Sequence, residues 1–210
     1  MTSGERGQLV PLGVLVSGSG TNLQAIIDAC AERRLDAEVA VVISNQEAAH
    51  GLERARKARI PAVWIDRTRY TTMSEYNLEI RDVLREHEVD LVVMAGYMRL
   101  LGKEVLDEYP NAVVNIHPAL LPSFAGANGI REAFEAGVKV TGVTVHFANE
   151  HFDDGAIIAQ RPVIVEPEDT LETLEGKIHK VEHELYPAAL QMLIEERVEV
   201  DGRRTRITPA

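Results

Sequence analysis

The chain has 210 residues, 45% of them hydrophobic and 26% charged, which is enough apolar material for a globular core. A net charge of −11 argues against broad nucleic-acid binding, which needs a basic face, yet leaves room for a local pocket that holds a small anion. The lone cysteine, Cys30, excludes an internal disulfide framework, and no apolar run nears the roughly 20 residues of a membrane span.

The N-terminal MTSGERGQLVPLG lacks the basic and apolar regions of a secretory signal, so a cytoplasmic protein is expected. Residues 14–16 form a short buried strand that runs into Ser17-Gly18-Ser19-Gly20, and a helix is predicted over 22–33. Its apolar stripe includes Cys30, which is read as packing. A second strand at 39–43 and a short helix at 51–58 follow, then a third strand at 62–65. From Tyr76 the apolar positions Ile80, Val83, Leu84 and His87 fall on one helical stripe, ahead of strands at 91–94 and 112–116.

Strands apolar on both faces and separated by helices imply a parallel sheet covered on both sides, an α/β doubly wound fold. After Gly137 the pattern changes: 141–147 alternates and 157–165 is strand-like. A long helix follows, with a capping-box signal at Asp169 and Glu172 and a stripe of Leu171, Leu174, Ile178, Val181 and Leu185. Pro187 should kink or end its first part. Residues 198–206 suggest a hairpin around Asp201-Gly202. Without repeats or linkers the chain reads as one domain with tails at 1–10 and 201–210.

In such sheets ligands bind beyond the carboxyl ends of the strands, where three polar stretches fall. In SGSGTN, Gly18 and Gly20 permit a sharp turn, and the following helix offers free N–H groups and the positive end of its dipole. Ser17, Thr21 and Asn22 add side-chain donors. A dinucleotide fingerprint would need glycine where Leu23 stands and an acidic residue where Ser44-Asn45 ends the second strand. No Gly-Lys-Ser/Thr of a P-loop follows, so a single phosphate on a sugar phosphate or mononucleotide is expected.

The second stretch is NIHP. Residues two apart in a strand share a face, so Asn115 and His117 can reach one substrate together. An amide donates to a developing oxyanion, and an imidazole moves a proton near neutral pH. Pro118 biases His117 away from helix. His146, in TVHF, reads as buried and hydrogen-bonded. His179 and His183, four apart on a helix, lack a third ligand for a metal. In NEHFDDGAII either Asp153 or Asp154 can set a carboxylate beside His117 and hold it charged.

The runs SGSGTNLQAII, GLERAR, AGYMRLL, NIHPALLPSF, GVKVTGVTVHF, the Asp153-Asp154-Gly155 turn and EHELYP resemble the phosphoribosylglycinamide formyltransferases, over about residues 12–197. The resemblance implies the formyltransferase fold with a Rossmann-like N-terminal half. It further implies transfer of a formyl group from 10-formyltetrahydrofolate to the amine of glycinamide ribonucleotide in purine biosynthesis. By resemblance Asn115, His117 and Asp153 are catalytic, and Gly20, Thr21, Asn22 and Glu182 hold the ribonucleotide. Met98, Arg99, Leu100, Leu101 and Asn149, with Asn115 and Asp153, would line the folate pocket. Residues 11–110 would then be the phosphate-binding half and 111–200 the catalytic and folate-binding half. No metal, nucleic acid or membrane partner is implied, and the enzyme would be a monomer or homodimer. The chain departs from the pattern of such relatives at Ala125, Asn128 and Met73.

Overall fold

A computed structural model describes residues 9–209, so most of the expected tail at 1–10, together with Ala210, lies outside the described residues. A seven-stranded sheet has the order β3-β2-β1-β4-β5-β6-β7. Strands β1 (Val10–Val16), β2 (Ala37–Ser44), β3 (Ala62–Trp64), β4 (Leu91–Met94) and β5 (Val113–His117) run parallel. Strands β6 (Val140–Phe147) and β7 (Ile157–Ile164) continue the sheet antiparallel. The fold is therefore α/β with a mostly parallel central sheet, and the order reverses between β1 and β4.

Alternate residues of β1 point to opposite layers, which explains its unbroken apolar run. Val14 and Val16 join the core covered by helices α1 (Thr21–Ala31), α2 (His50–Lys57) and α6 (Leu171–Ile194) through Leu23, Leu52 and Ile178. Leu15 faces the core covered by α3 (Met73–Glu86) and α4 (Lys103–Leu106) through Ile80, Leu84 and Val105. Cys30 packs against the first core, and its burial pushes the thiol up to about 11, as expected of an inert packing residue. No helix among the described residues is long and apolar enough to cross a membrane.

Three expectations need correction. The cap of α6 is Thr170, not Asp169: its hydroxyl accepts from Thr173 N–H, and Thr173 Oγ1 accepts from Thr170 N–H. Asp169 instead accepts from Glu166 N–H and pairs with Lys177 Nζ at 2.6 Å. Pro187 does not end the helix, which runs on to Ile194 because Leu185, Tyr186, Ala189 and Leu190 are buried around it. Finally, the 201–210 segment is not a simple tail. Strands β8 (Val198–Asp201) and β9 (Arg204–Ile207) form the expected hairpin around Gly202, and Thr205 Oγ1 donates to the Ile157 carbonyl at 2.6 Å.

Tyr186 ties the long helix to the strand ends that carry the polar loops. Its hydroxyl, fully buried, lies 3.1 Å from the Met94 carbonyl and 2.9 Å from the Val114 carbonyl. Tyr186→Phe strands these carbonyls without a donor and is expected to destabilise the protein by about 1–2 kcal/mol. Urea unfolding checks this, with a lower midpoint and an unchanged slope.

Candidate active site

The carboxyl ends of β1, β4 and β5 open into one cleft of about 730 Å³, and every residue to which the family resemblance assigns a role lines it. At one end is the loop after β1. Gly20 caps α1 with φ 68°, a left-handed conformation that glycine adopts freely, and a Cβ there would lie 2.6 Å from Gly51 Cα. The first N–H groups of α1 have no acceptor within the helix, and Gly20, Thr21 and Asn22 line the cleft there.

Helix α2 holds this loop from behind, which gives the GLERAR run its structural meaning. Gly51 N–H donates to the Gly18 carbonyl at 3.1 Å, and Arg54 Nε donates to the Ser19 carbonyl at 2.8 Å. Ser17 is not the free donor expected. Its hydroxyl donates to Asn45 Oδ1 at 2.7 Å and accepts from Met98 N–H at 2.9 Å, so it ties the first loop to the one after β4. Asn22 Nδ2 donates to Glu182 Oε2 at 3.3 Å, joining α1 to α6 at the cleft wall.

At the other end Asn115 and His117 close β5 on one face, as their spacing predicts. Asn115 pairs across the sheet with His146, and His117 with Thr144. Asp153 reaches them from the turn after β6. Its Oδ2 lies 3.4 Å from His117 Nδ1 and accepts from Gly126 N–H at 2.8 Å; its Oδ1 accepts from Asn115 Nδ2 at 3.4 Å. Asp154, the alternative left open by the residues alone, points outward to an ion pair with Arg203 at 2.6 Å. Gly155 is required by space, since a Cβ there would collide with the Phe147 carbonyl.

Protonation follows from the partners. His117 Nε2 lies 2.8 Å from the Phe124 carbonyl, which can only accept, so Nε2 carries a proton. Its Nδ1 faces the Asp153 carboxylate, so a charged imidazolium satisfies both contacts. Burial opposes ionisation of Asp153, but the neighbouring His146 ring, the Gly126 amide and the charge of His117 outweigh it and hold the carboxyl below its ordinary range.

His146, expected from the sequence to be buried and hydrogen-bonded, is also a member of this cluster. It is buried and bonded, with Nδ1 donating to the Phe147 carbonyl at 2.8 Å. Its Nε2 also sits 3.2 Å from Asn115 Nδ2 and 3.6 Å from Asp153 Oδ1. Alternation along β6 was the available signal, because it puts His146 on the face of Thr144 and Gly142, opposite the apolar core. The backbone groups of Phe124 and Gly126 left no sequence signal. Phe124 and Asp153 both have positive φ, 55° and 53°, so the two segments that grip His117 are locally strained.

Met98, Arg99, Leu100 and Leu101 line the middle of the cleft together with Asn149, and Asn128 lies at its rim ahead of α5 (Gly129–Glu135). Met73 starts α3 outside the cleft, where its sulfur accepts from Arg67 Nε at 3.0 Å. His179 and His183 stack with centroids 6.4 Å apart, and His179 Nδ1 pairs with Glu182 Oε2 at 2.8 Å. No group of three or more His, Cys, Asp or Glu side chains among the described residues is arranged to hold a metal ion.

Comparison with known proteins finds the same family in sequence and in structure. The formyl transferase family model matches residues 12–190. The chain is 41% identical over 181 residues to a phosphoribosylglycinamide formyltransferase of Bacillus subtilis, a match covering 86% of this chain and 93% of that protein. It is 42% identical over 187 residues to the enzyme of the same name from Haemophilus influenzae, covering 89% and 88% of the two chains. The crystal structure of glycinamide ribonucleotide transformylase 1 from Symbiobacterium toebii superposes with a TM-score of 0.95 at 46% identity, covering 99% of this chain and 100% of that one.

Proposed function

The chain belongs to the formyl transferase family, alongside the phosphoribosylglycinamide formyltransferases of purine biosynthesis, and from that premise we propose the way its cleft performs the transfer. The ribonucleotide phosphate sits on the N–H groups of Gly20, Thr21 and Asn22 at the start of α1, and Glu182 accepts from the ribose hydroxyls. The folate of 10-formyltetrahydrofolate lies along Met98, Arg99, Leu100, Leu101 and Asn149. This brings the glycinamide amine and the formyl carbon together beside Asn115, His117 and Asp153. The observation that carries the reading is the single cleft with a free helix N-terminus at one end and the linked His117–Asp153 pair at the other.

The amine lone pair attacks the formyl carbon, a C–N bond forms, and the carbonyl π electrons move onto oxygen. The Nδ1 proton of His117 and the Asn115 amide stabilise that oxyanion; Asn115 is held by two long bonds, at 3.2 and 3.4 Å, and exchanges one for the formyl oxygen. Asp153 keeps His117 charged and relays the proton lost by the attacking amine to the departing folate nitrogen. Collapse of the intermediate then breaks the carbon–folate bond and leaves an amide and tetrahydrofolate. The step needs no covalent enzyme intermediate and no metal. Its small-molecule substrates in purine biosynthesis support a cytoplasmic location.

Direct attack requires both substrates to be bound at once. Initial-rate kinetics varying both are expected to give intersecting reciprocal plots, and parallel lines, the mark of a formyl-enzyme, would overturn the mechanism. Gly20→Ala tests the phosphate end. The Cβ would push Gly20 off Gly51 and strain its positive φ, and KM for the ribonucleotide should rise at least about tenfold, a loss of about 1.4 kcal/mol. KM for the folate substrate should stay within about twofold in the same assay.

A further inference from the structure

We infer that Asn77, which lies outside the cleft, is a positioning residue for the folate co-substrate: it holds residues 98–101 in the conformation that receives it. The inference rests on the proposed placement of the folate along that segment. Residues 95–102 leave β4 without joining a helix or strand, and the backbone of 99–101 makes no hydrogen bond among the described residues. Such a segment takes its shape from what holds its two ends.

Ser17 holds the first end. Its N–H donates to the Gly96 carbonyl at 3.2 Å, and its hydroxyl accepts from Met98 N–H at 2.9 Å. The other end rests on α3. Asn77 is 2% exposed; its Oδ1 accepts from Gly102 N–H at 2.9 Å and its Nδ2 donates to the Met73 carbonyl at 2.7 Å. With both ends of the amide engaged, its orientation is fixed. One residue back, Tyr76 Oη lies 3.0 Å from Tyr97 Oη, and both rings are buried. Adjacent residues of one helix thus grip the segment on either side of Met98–Leu101. The fit is close, since a Cβ on Gly102 would lie 2.9 Å from Asn77 Nδ2.

The remainder of this face of α3 buries Ile80, Val83 and Leu84, and an amide beside them costs stability unless it is paired. Its acceptor serves the segment. Neither Tyr76 nor Asn77 lines the cleft, so their effect on a substrate passes through residues 97–102.

Asn77→Leu keeps the volume and strands the Gly102 N–H. KM for 10-formyltetrahydrofolate is expected to rise at least about tenfold, with kcat at saturation within about threefold of wild type. KM for the ribonucleotide should stay within about twofold. Asn77→Asp retains an acceptor for Gly102 N–H and should return the folate KM to within about threefold. Gly102→Ala displaces the same bond from its other partner and should reproduce the Leu signature, which decides the matter if Asn77→Leu does not fold. Val83→Ala opens a cavity further along α3 and should lower the urea midpoint with the folate KM unchanged. A parallel rise in both KM values, an Asp variant as impaired as the Leu variant, or an equal rise in Val83→Ala would overturn the inference. Leu100→Asp tests the placement beneath it by putting a charge on the segment itself. A raised folate KM in that variant alone would remove the inference and leave the placement standing. An unmoved folate KM in Leu100→Asp, Asn77→Leu and Gly102→Ala would remove both.

Discussion

His117→Ala is expected to lower kcat by at least about a hundredfold, the lower end of what a positioned acid–base group contributes, while changing either KM by no more than a few-fold. The ring is 4% exposed and is gripped from both sides, by the Phe124 carbonyl at Nε2 and by Asp153 at Nδ1. Its removal takes away the charge assigned to the oxyanion and leaves the Phe124 carbonyl without its donor, which costs about 1–3 kcal/mol of stability. Steady-state kinetics beside thermal unfolding separate the two losses. A folded variant with kcat within a few-fold of wild type would remove His117 from the mechanism.

Asp153→Asn preserves shape and removes charge, and it too should lower kcat by at least about a hundredfold. The amide can still accept from Gly126 N–H, so the turn keeps its place, but it no longer favours the charged form of His117. A pH signature accompanies this loss. Because the folded-state pKa of Asp153 is depressed, its stabilising contribution is fully present above the unfolded carboxylate value near 3.9. That contribution fades as pH falls from there through the lower folded value. The Asn variant lacks this term, so its stability should fall less steeply below about pH 4 than the wild type's. Identical acid-unfolding profiles would mean that Asp153 carries no such charge in the folded protein.

The sheet was legible because β1, β2, β4 and β5 are apolar on both faces, a pattern that only a covered parallel sheet accommodates. Its carboxyl ends then pointed to Gly20, Asn115 and His117 with no need of side-chain geometry. What stayed hidden depended on atoms brought together across the fold. His146 meets Asn115 only through the β5–β6 pairing, and the grip on His117 comes from backbone groups of Phe124 and Gly126, which no residue type announces. Asp153 and Asp154 are equivalent in a turn until one faces the cleft and the other finds Arg203. At α6 local propensity misled twice. Thr170 outcompeted Asp169 as the cap because Asp169 was committed to Glu166 N–H and Lys177, and tertiary packing carried the helix through Pro187.

The central claim is that the Asn115–His117–Asp153 end of the cleft delivers the formyl group to the ribonucleotide amine and not to water. Incubation with 10-formyltetrahydrofolate, with and without glycinamide ribonucleotide, tests it most directly when formate and formylated product are both quantified. One formylated ribonucleotide per tetrahydrofolate, with negligible formate when the ribonucleotide is omitted, is the expected result. Formate released at an undiminished rate in its absence would contradict the claim.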